Sequence, residues 1–128
     1  MVQSAFRSSI MWQKAMTLST STYSATRKFP REEIFGLTNQ LRPASVSIPS
    51  NIAEGNRGIT KGEFIQFLGI ARGSTLEVQT QLELASRLGY GDNEELESVQ
   101  AISLEVLKLL NASISTLQAT IHKRTKLC

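Results

Sequence analysis

Glu54 and Glu77 are the side chains of this sequence best suited to general acid–base work, which needs two titratable groups facing one reacting bond. Glu77 lies in a line of residues, Phe67, Ile70, Ser74, Glu77, Gln81, Leu84 and Leu88, spaced alternately by 3 and 4. That spacing puts them on one helix face, apolar at both ends and polar at the centre. Asn51 and Glu54 can join the centre, so Asn51, Glu54, Ser74, Glu77 and Gln81 form a candidate polar network. The same groups can serve as a subunit contact in which they hydrogen-bond across helices, and this second account needs fewer assumptions. A di-metal bundle site requires two Glu-x-x-His pairs besides further glutamates. The sole histidine, His122, and the sole cysteine, Cys128, rule out that site, cysteine-based metal sites and internal disulfides.

A second candidate is the glycine-rich run Gly55-Asn56-Arg57-Gly58-Ile59-Thr60-Lys61-Gly62. It does not fit the spacing of a nucleotide-binding P-loop, and no strand precedes it. A helix N-terminus flanked by Arg57 and Lys61 can still attract an anion, although a plain turn between helices is the better account of the run.

The elements that must carry these residues are helical nearly throughout. Met11, Ala15, Leu18, Thr22, Ala25 and Phe29 recur at helical spacing, through a middle rich in Ser and Thr that relies on packing rather than propensity. Phe29-Pro30 ends that segment. Ile34, Leu37, Leu41, Ala44, Ile48 and Ile52 continue the pattern through Pro43 and Pro49. An interior proline costs roughly 3 kcal/mol and bends the axis. The spacing therefore predicts one helix kinked at proline, with a break into two short helices as the competing outcome.

Thr60 and Glu63 fit a capping box ahead of the third stripe, Phe64, Leu68, Ala71, Thr75, Val78, Leu82 and Ala85, which Gly89 stops. Asp92 and Glu95 fit a second box. The fourth segment carries two stripes, Leu96, Val99, Val106, Leu110 and Leu117 beside Leu104, Leu107, Ile114 and Ile121. So wide an apolar arc exceeds one bundle seam and suggests that this helix also faces a partner subunit. The expected fold is all-α, an antiparallel up-down-up-down four-helix bundle forming a single domain, with helices over about 7–28, 31–54, 60–88 and 92–122.

Of the 128 residues, 41% are apolar, enough for one ordinary core, and the net charge is only +3. Its distribution says more. Residues 1–31 hold Arg7, Lys14, Arg27, Lys28 and Arg31 and no acid, whereas residues 89–119 hold Asp92, Glu94, Glu95, Glu97 and Glu105 against Lys108 alone. No apolar run is long enough for a membrane span, and the helical spacing passes unbroken through the acid-free N-terminal segment, against a transit peptide. A cytoplasmic protein is the expectation.

The residues themselves also resemble a known family. Phe29-Pro30, Phe35-Gly36-Leu37, Gln40-Leu41-Arg42 and the run Ser47-Ile48-Pro49-Ser50-Asn51-Ile52-Ala53-Glu54-Gly55 come in its order. Glu63-Phe64, Phe67-Leu68, Ala71-Arg72-Gly73-Ser74, Glu77, Gln81-Leu82 and Leu88-Gly89-Tyr90 follow, with Trp12-Gln13-Lys14-Ala15-Met16 upstream. Over about residues 10–118 the chain resembles the bacterial bundle proteins named for the intervening sequences of 23S ribosomal RNA genes.

That resemblance implies an antiparallel four-helix protomer that assembles into a ring, a homopentamer, with no catalysis and no cofactor. A distantly similar bundle, the accessory protein of diversity-generating retroelements, binds nucleic acid, which makes RNA the implied partner. Pro49 belongs to the family pattern. Pro43 stands where the family carries a second basic residue after Arg42.

Two uses of the charge split follow. In one, Arg7, Lys14, Arg27, Lys28, Arg31, Arg42, Arg57 and Lys61 bind a nucleic-acid backbone by counterion release. In the other, the basic face of one protomer meets the acidic fourth helix of the next, making a ring-shaped scaffold or adaptor with no nucleic-acid role.

Overall fold

Ser9 begins the first long helix by accepting a hydrogen bond from the Trp12 backbone N–H at 3.3 Å, which satisfies one of the donors that a helix N-terminus leaves free. The structure, a computed structural model, describes residues 5–57 and 60–127. Its four helices are α1 (Ile10–Thr26), α2 (Leu37–Gly55), α3 (Lys61–Arg87) and α4 (Asn93–Leu127), with short 3₁₀ turns at Ala5–Ser8 and Arg31–Phe35. There is no strand among the described residues. Each helix packs on two others: α1 on α2 and α4, and α3 on α2 and α4.

The predicted stripes make the core. Ala15, Leu18, Leu41, Ile48, Ile52, Leu68, Ala71, Val78, Leu82, Val106 and Leu110 are fully buried. In α1 the hydroxyls of Thr22 and Thr26 donate to the carbonyls of Leu18 and Thr22, so these buried polar groups need no water. In α4 Ser103, fully buried, fills the gap between Val99 and Val106, and Ile114 joins the same stripe. Ile114 therefore belongs to the core rather than to the second stripe, while Leu104 is half exposed.

The second segment departs from expectation at its start. Residues 31–35 form a separate 3₁₀ turn, and α2 begins only at Leu37. Gly36, at φ −113° and ψ −117°, takes the chain out of helical geometry between the two. Glu33 reaches across the break, its Oε1 accepting from the Leu37 backbone N–H at 2.9 Å. The consequence falls on Ile34, counted in the apolar stripe, which is 55% exposed.

Beyond Gly36, α2 runs without interruption through Pro43 and Pro49, so it is not two short helices. Pro49 removes the N–H that would bond the Ser45 carbonyl. The Ser19 hydroxyl from α1 donates to that carbonyl instead, at 2.6 Å.

The two capping boxes form by half. Thr60 Oγ1 accepts from the Glu63 N–H and Asp92 Oδ2 from the Glu95 N–H, both at 3.1 Å. The glutamates turn elsewhere: Glu63 lies 4.0 Å from Arg57, and Glu95 meets Lys28 and Ser24 of α1. Gly89, at φ +74°, ends α3 in a left-handed conformation that glycine adopts without strain. Gly91, at φ +72°, leaves room for the Phe29 ring, which would lie 3.0 Å from an added Cβ.

Candidate nucleic-acid interface

The C-terminal turns of α1, the 3₁₀ turn and the first turns of α2 enclose an open groove of about 500 Å³ whose walls include Tyr23, Ile34, Thr38, Arg42 and Val46. Arg42 organises it. Its Nε donates to Thr26 Oγ1 at 2.8 Å, and its guanidinium carbon lies 4.7 Å from the centre of the Tyr23 ring. A cation over an aromatic face is held by the ring quadrupole, and the Thr26 bond ties the side chain to the end of α1. A second groove of about 290 Å³ adjoins the first, shares Ile34, Thr38 and Arg42 with it, and adds Arg27 and Arg31. Three arginines of the predicted basic set thus converge on one face.

The remaining members are dispersed or paired. Lys14 Nζ lies 2.7 Å from Glu105 and Lys28 Nζ 3.1 Å from Glu95. The basic first segment and the acidic fourth helix therefore meet within one chain. Arg57 pairs with Glu54 at 3.8 Å and with Glu63 at 4.0 Å, and it also approaches the Phe67 ring. Arg7 lies over the Phe6 ring at the far end of α1, and Lys61 is exposed at the start of α3. By contrast, no carboxylate lies within 4 Å of Arg27, Arg31 or Arg42 among the described residues.

The candidate polar network is brought together only in part. Ser74 bonds Ser47 across α2 and α3, Oγ to Oγ at 2.9 Å, and Asn51 Nδ2 donates to the Ser47 carbonyl and hydroxyl. Gln81 Nε2 donates to Gln40 Oε1 at 3.4 Å, a weak bond. Ser47 and Gln40 are the partners that the sequence reading missed. Ser47 was visible only as one member of the Ser47–Gly55 run, and nothing marked Gln40 as a partner for α3.

Glu54 and Glu77 do not meet. The Ser47–Ser74 and Gln40–Gln81 contacts fix the register, and Gly55 lies against Phe64 and Phe67. Glu54 is thereby level with about residue 67, ten positions from Glu77, or about 15 Å along the axis at 1.5 Å per residue. Both side chains are exposed. The acid–base pair that the sequence allowed is not assembled in this chain.

Among the described residues no three metal-ligating side chains cluster, and no helix is long and apolar enough to cross a membrane. His122 is exposed on the last turns of α4. Cys128, Gly58 and Ile59 lie outside the described residues.

The family model of the 23S rRNA-intervening sequence protein matches residues 7–112, which include α1 to α3, both grooves and most of α4. The chain belongs to this family. A protein of unknown function from Bacteroides thetaiotaomicron, assigned to the S23 ribosomal protein family, has a similar crystal structure. Its TM-score is 0.74 at 26% identity, over 82% of this chain and 98% of that one. No curated protein matches the chain. Within the family frame, the groove of Arg42 lies inside the matched region, whereas residues 113–127 of α4 extend past it.

Proposed function

We propose that this family member is a non-enzymatic, homo-oligomeric helical-bundle protein that binds RNA through the paired grooves beside Arg42. One observation carries the reading. Lys14, Lys28 and Arg57 are matched by carboxylates of their own chain, whereas Arg27, Arg31 and Arg42 converge on one face without a carboxylate within 4 Å among the described residues. Cations gathered in this way suit a polyanion, whose condensed counterions they release on contact. The family name refers to intervening sequences of 23S rRNA, and the Bacteroides relative carries the name of a ribosomal protein family. Both support RNA or a ribosomal partner.

The protomer is an antiparallel up-down-up-down bundle in this proposal. Supporting it, Gln40 and Ser47 meet Gln81 and Ser74, and Lys14 and Ser24 meet Glu105 and Glu95, so residue numbers rise along one helix as they fall along its neighbour. Pro43 and Pro49 kink α2, since each removes a backbone hydrogen bond and crowds the preceding turn. The protomers close into a ring, a homopentamer, that works in the cytoplasm without a cofactor.

A second reading, a ring-shaped scaffold with no nucleic-acid role, is favoured by the half-exposed Ile70 and Leu84 of α3 and Leu88 just past its end. Together with Ser74 and Gln81 they offer a mixed face of the kind that subunit contacts use.

The experiment is fluorescence anisotropy with a labelled single-stranded RNA of about 16 nucleotides across a salt series. Binding weakens steeply as salt rises. The pair Arg27→Glu and Arg31→Glu lowers affinity about tenfold or more and flattens the salt slope, whereas Lys14→Ala changes it by less than about twofold. An oligomer that stays intact and retains no RNA at low salt overturns RNA binding and leaves the scaffold.

A further inference from the structure

We infer that Thr26 is a positioning residue for RNA, its hydroxyl presetting Arg42 as the phosphate contact shared by the two grooves. The inference rests on the RNA-binding reading above and names the residue that readies its site. Arg42 lies on α2 and lines both grooves. Thr26 is the last residue of α1, borders only the smaller groove and is 3% exposed. So buried a side chain acts through Arg42 rather than on the ligand itself.

A threonine hydroxyl has one proton and two lone pairs, and the surroundings of Thr26 assign them. The proton is shared between the carbonyls of Thr22, at 2.9 Å, and Tyr23, at 3.1 Å, one turn back along α1. A lone pair remains, and Arg42 Nε, which can only donate, meets it at 2.8 Å. With Nε committed, the N–H groups of Nη1 and Nη2 make no other hydrogen bond or ion pair among the described residues. Those nitrogens are donors of the kind that phosphate oxygens take up in pairs.

Holding a phosphate costs a flexible arginine much of its rotamer freedom. Arg27 and Arg31 are exposed, and neither side chain is hydrogen-bonded among the described residues. Arg42 is half-buried and already tethered, so less of its freedom remains to be lost on contact. Equal charge therefore does not make the three arginines equal.

The test is anisotropy with the same labelled RNA of about 16 nucleotides, on protein that circular dichroism shows to be folded. Thr26→Val keeps the branched shape without the hydroxyl, and Thr26→Ala removes both. Each is expected to lower affinity about fivefold, and either suffices should the other fail to fold. Thr26→Ser, small but still a hydroxyl, is expected to stay within about twofold of the native protein. At low salt, where Arg27 and Arg31 still attract RNA, Thr26→Val in an Arg42→Ala background is expected to change affinity by less than about twofold.

Affinity that follows side-chain volume, with Thr26→Ser falling beside Thr26→Ala, assigns Thr26 to packing and overturns the positioning role. Hydroxyl-free variants that bind as the native protein does overturn it too, as does an equal loss in the Arg42→Ala background. Each of these outcomes leaves the RNA-binding reading standing. Native protein that retains no RNA at low salt overturns that reading and this inference with it.

Discussion

Ser19 of α1 donates its hydroxyl to the carbonyl oxygen of Ser45 in α2 across 2.6 Å, and that carbonyl is the one Pro49 deprives of its helical donor. Ser19 and Ser45 are both buried, so no bulk water can stand in. A proline in mid-helix thus becomes tolerable because a neighbouring helix supplies the missing proton. The cost of Pro49 is offset locally, and α1 is tied to α2 at that level.

Ser19→Ala is expected to destabilise the fold by about 1–3 kcal/mol, the range for a buried polar group left without a partner. In a Pro49→Ala background, residue 49 regains its N–H and the Ser45 carbonyl its helical bond. There Ser19→Ala should cost less, by about 1 kcal/mol. Urea unfolding of the four proteins in a double-mutant cycle measures the coupling, and additivity of the two changes would refute the compensation.

Glu33 caps α2 from outside it. Glu33→Ala removes the acceptor for the Leu37 N–H and is expected to cost about 1 kcal/mol, as helix caps do. Gly36→Ala acts on the same bond, because a Cβ there would sit 2.7 Å from Glu33 Oε1 and displace the carboxylate. Thermal unfolding should place Glu33→Gln, which keeps the acceptor, nearer to the native protein than Glu33→Ala.

Gly55 lets the end of α2 approach α3. A Cβ at this position would lie 2.7 Å from Phe64 Cδ1 and 3.0 Å from Phe67 Cβ. The second atom sits against the backbone of α3 and cannot turn away. Gly55→Ala is expected to destabilise by about 1–3 kcal/mol, the usual cost of overpacking. Adding Phe64→Leu should recover part of that loss, whereas an unchanged unfolding midpoint in Gly55→Ala would show that the helices yield freely.

The legible parts were those written in local spacing. Leu68, Ala71, Thr75, Val78, Leu82 and Ala85 were picked out by period alone and are all buried. Ile34 shows where period misleads: it kept phase with Leu37 and Leu41, but Gly36 breaks the helix between them. The capping boxes show a related limit. Thr60 and Asp92 cap as their types dictate, since a hydroxyl or carboxylate at that position needs only the adjacent turn. Glu63 and Glu95 had cations of other segments within reach and took those instead.

By itself, the sequence determined four helical segments and most of the stripe each buries, because these depend on side chains three and four positions apart. Only the tertiary structure decided which charges remain available to a partner. Lys14 and Glu105, or Lys28 and Glu95, are far apart in the chain and adjacent in space, and they neutralise each other. Arg27, Arg31 and Arg42 are left together along one groove, with Tyr23 beside Arg42, because the break at Gly36 lets the 3₁₀ turn pack against the start of α2 next to the end of α1. Charge pairing acts over a few ångströms, and which residues come that close is set by how the helices pack.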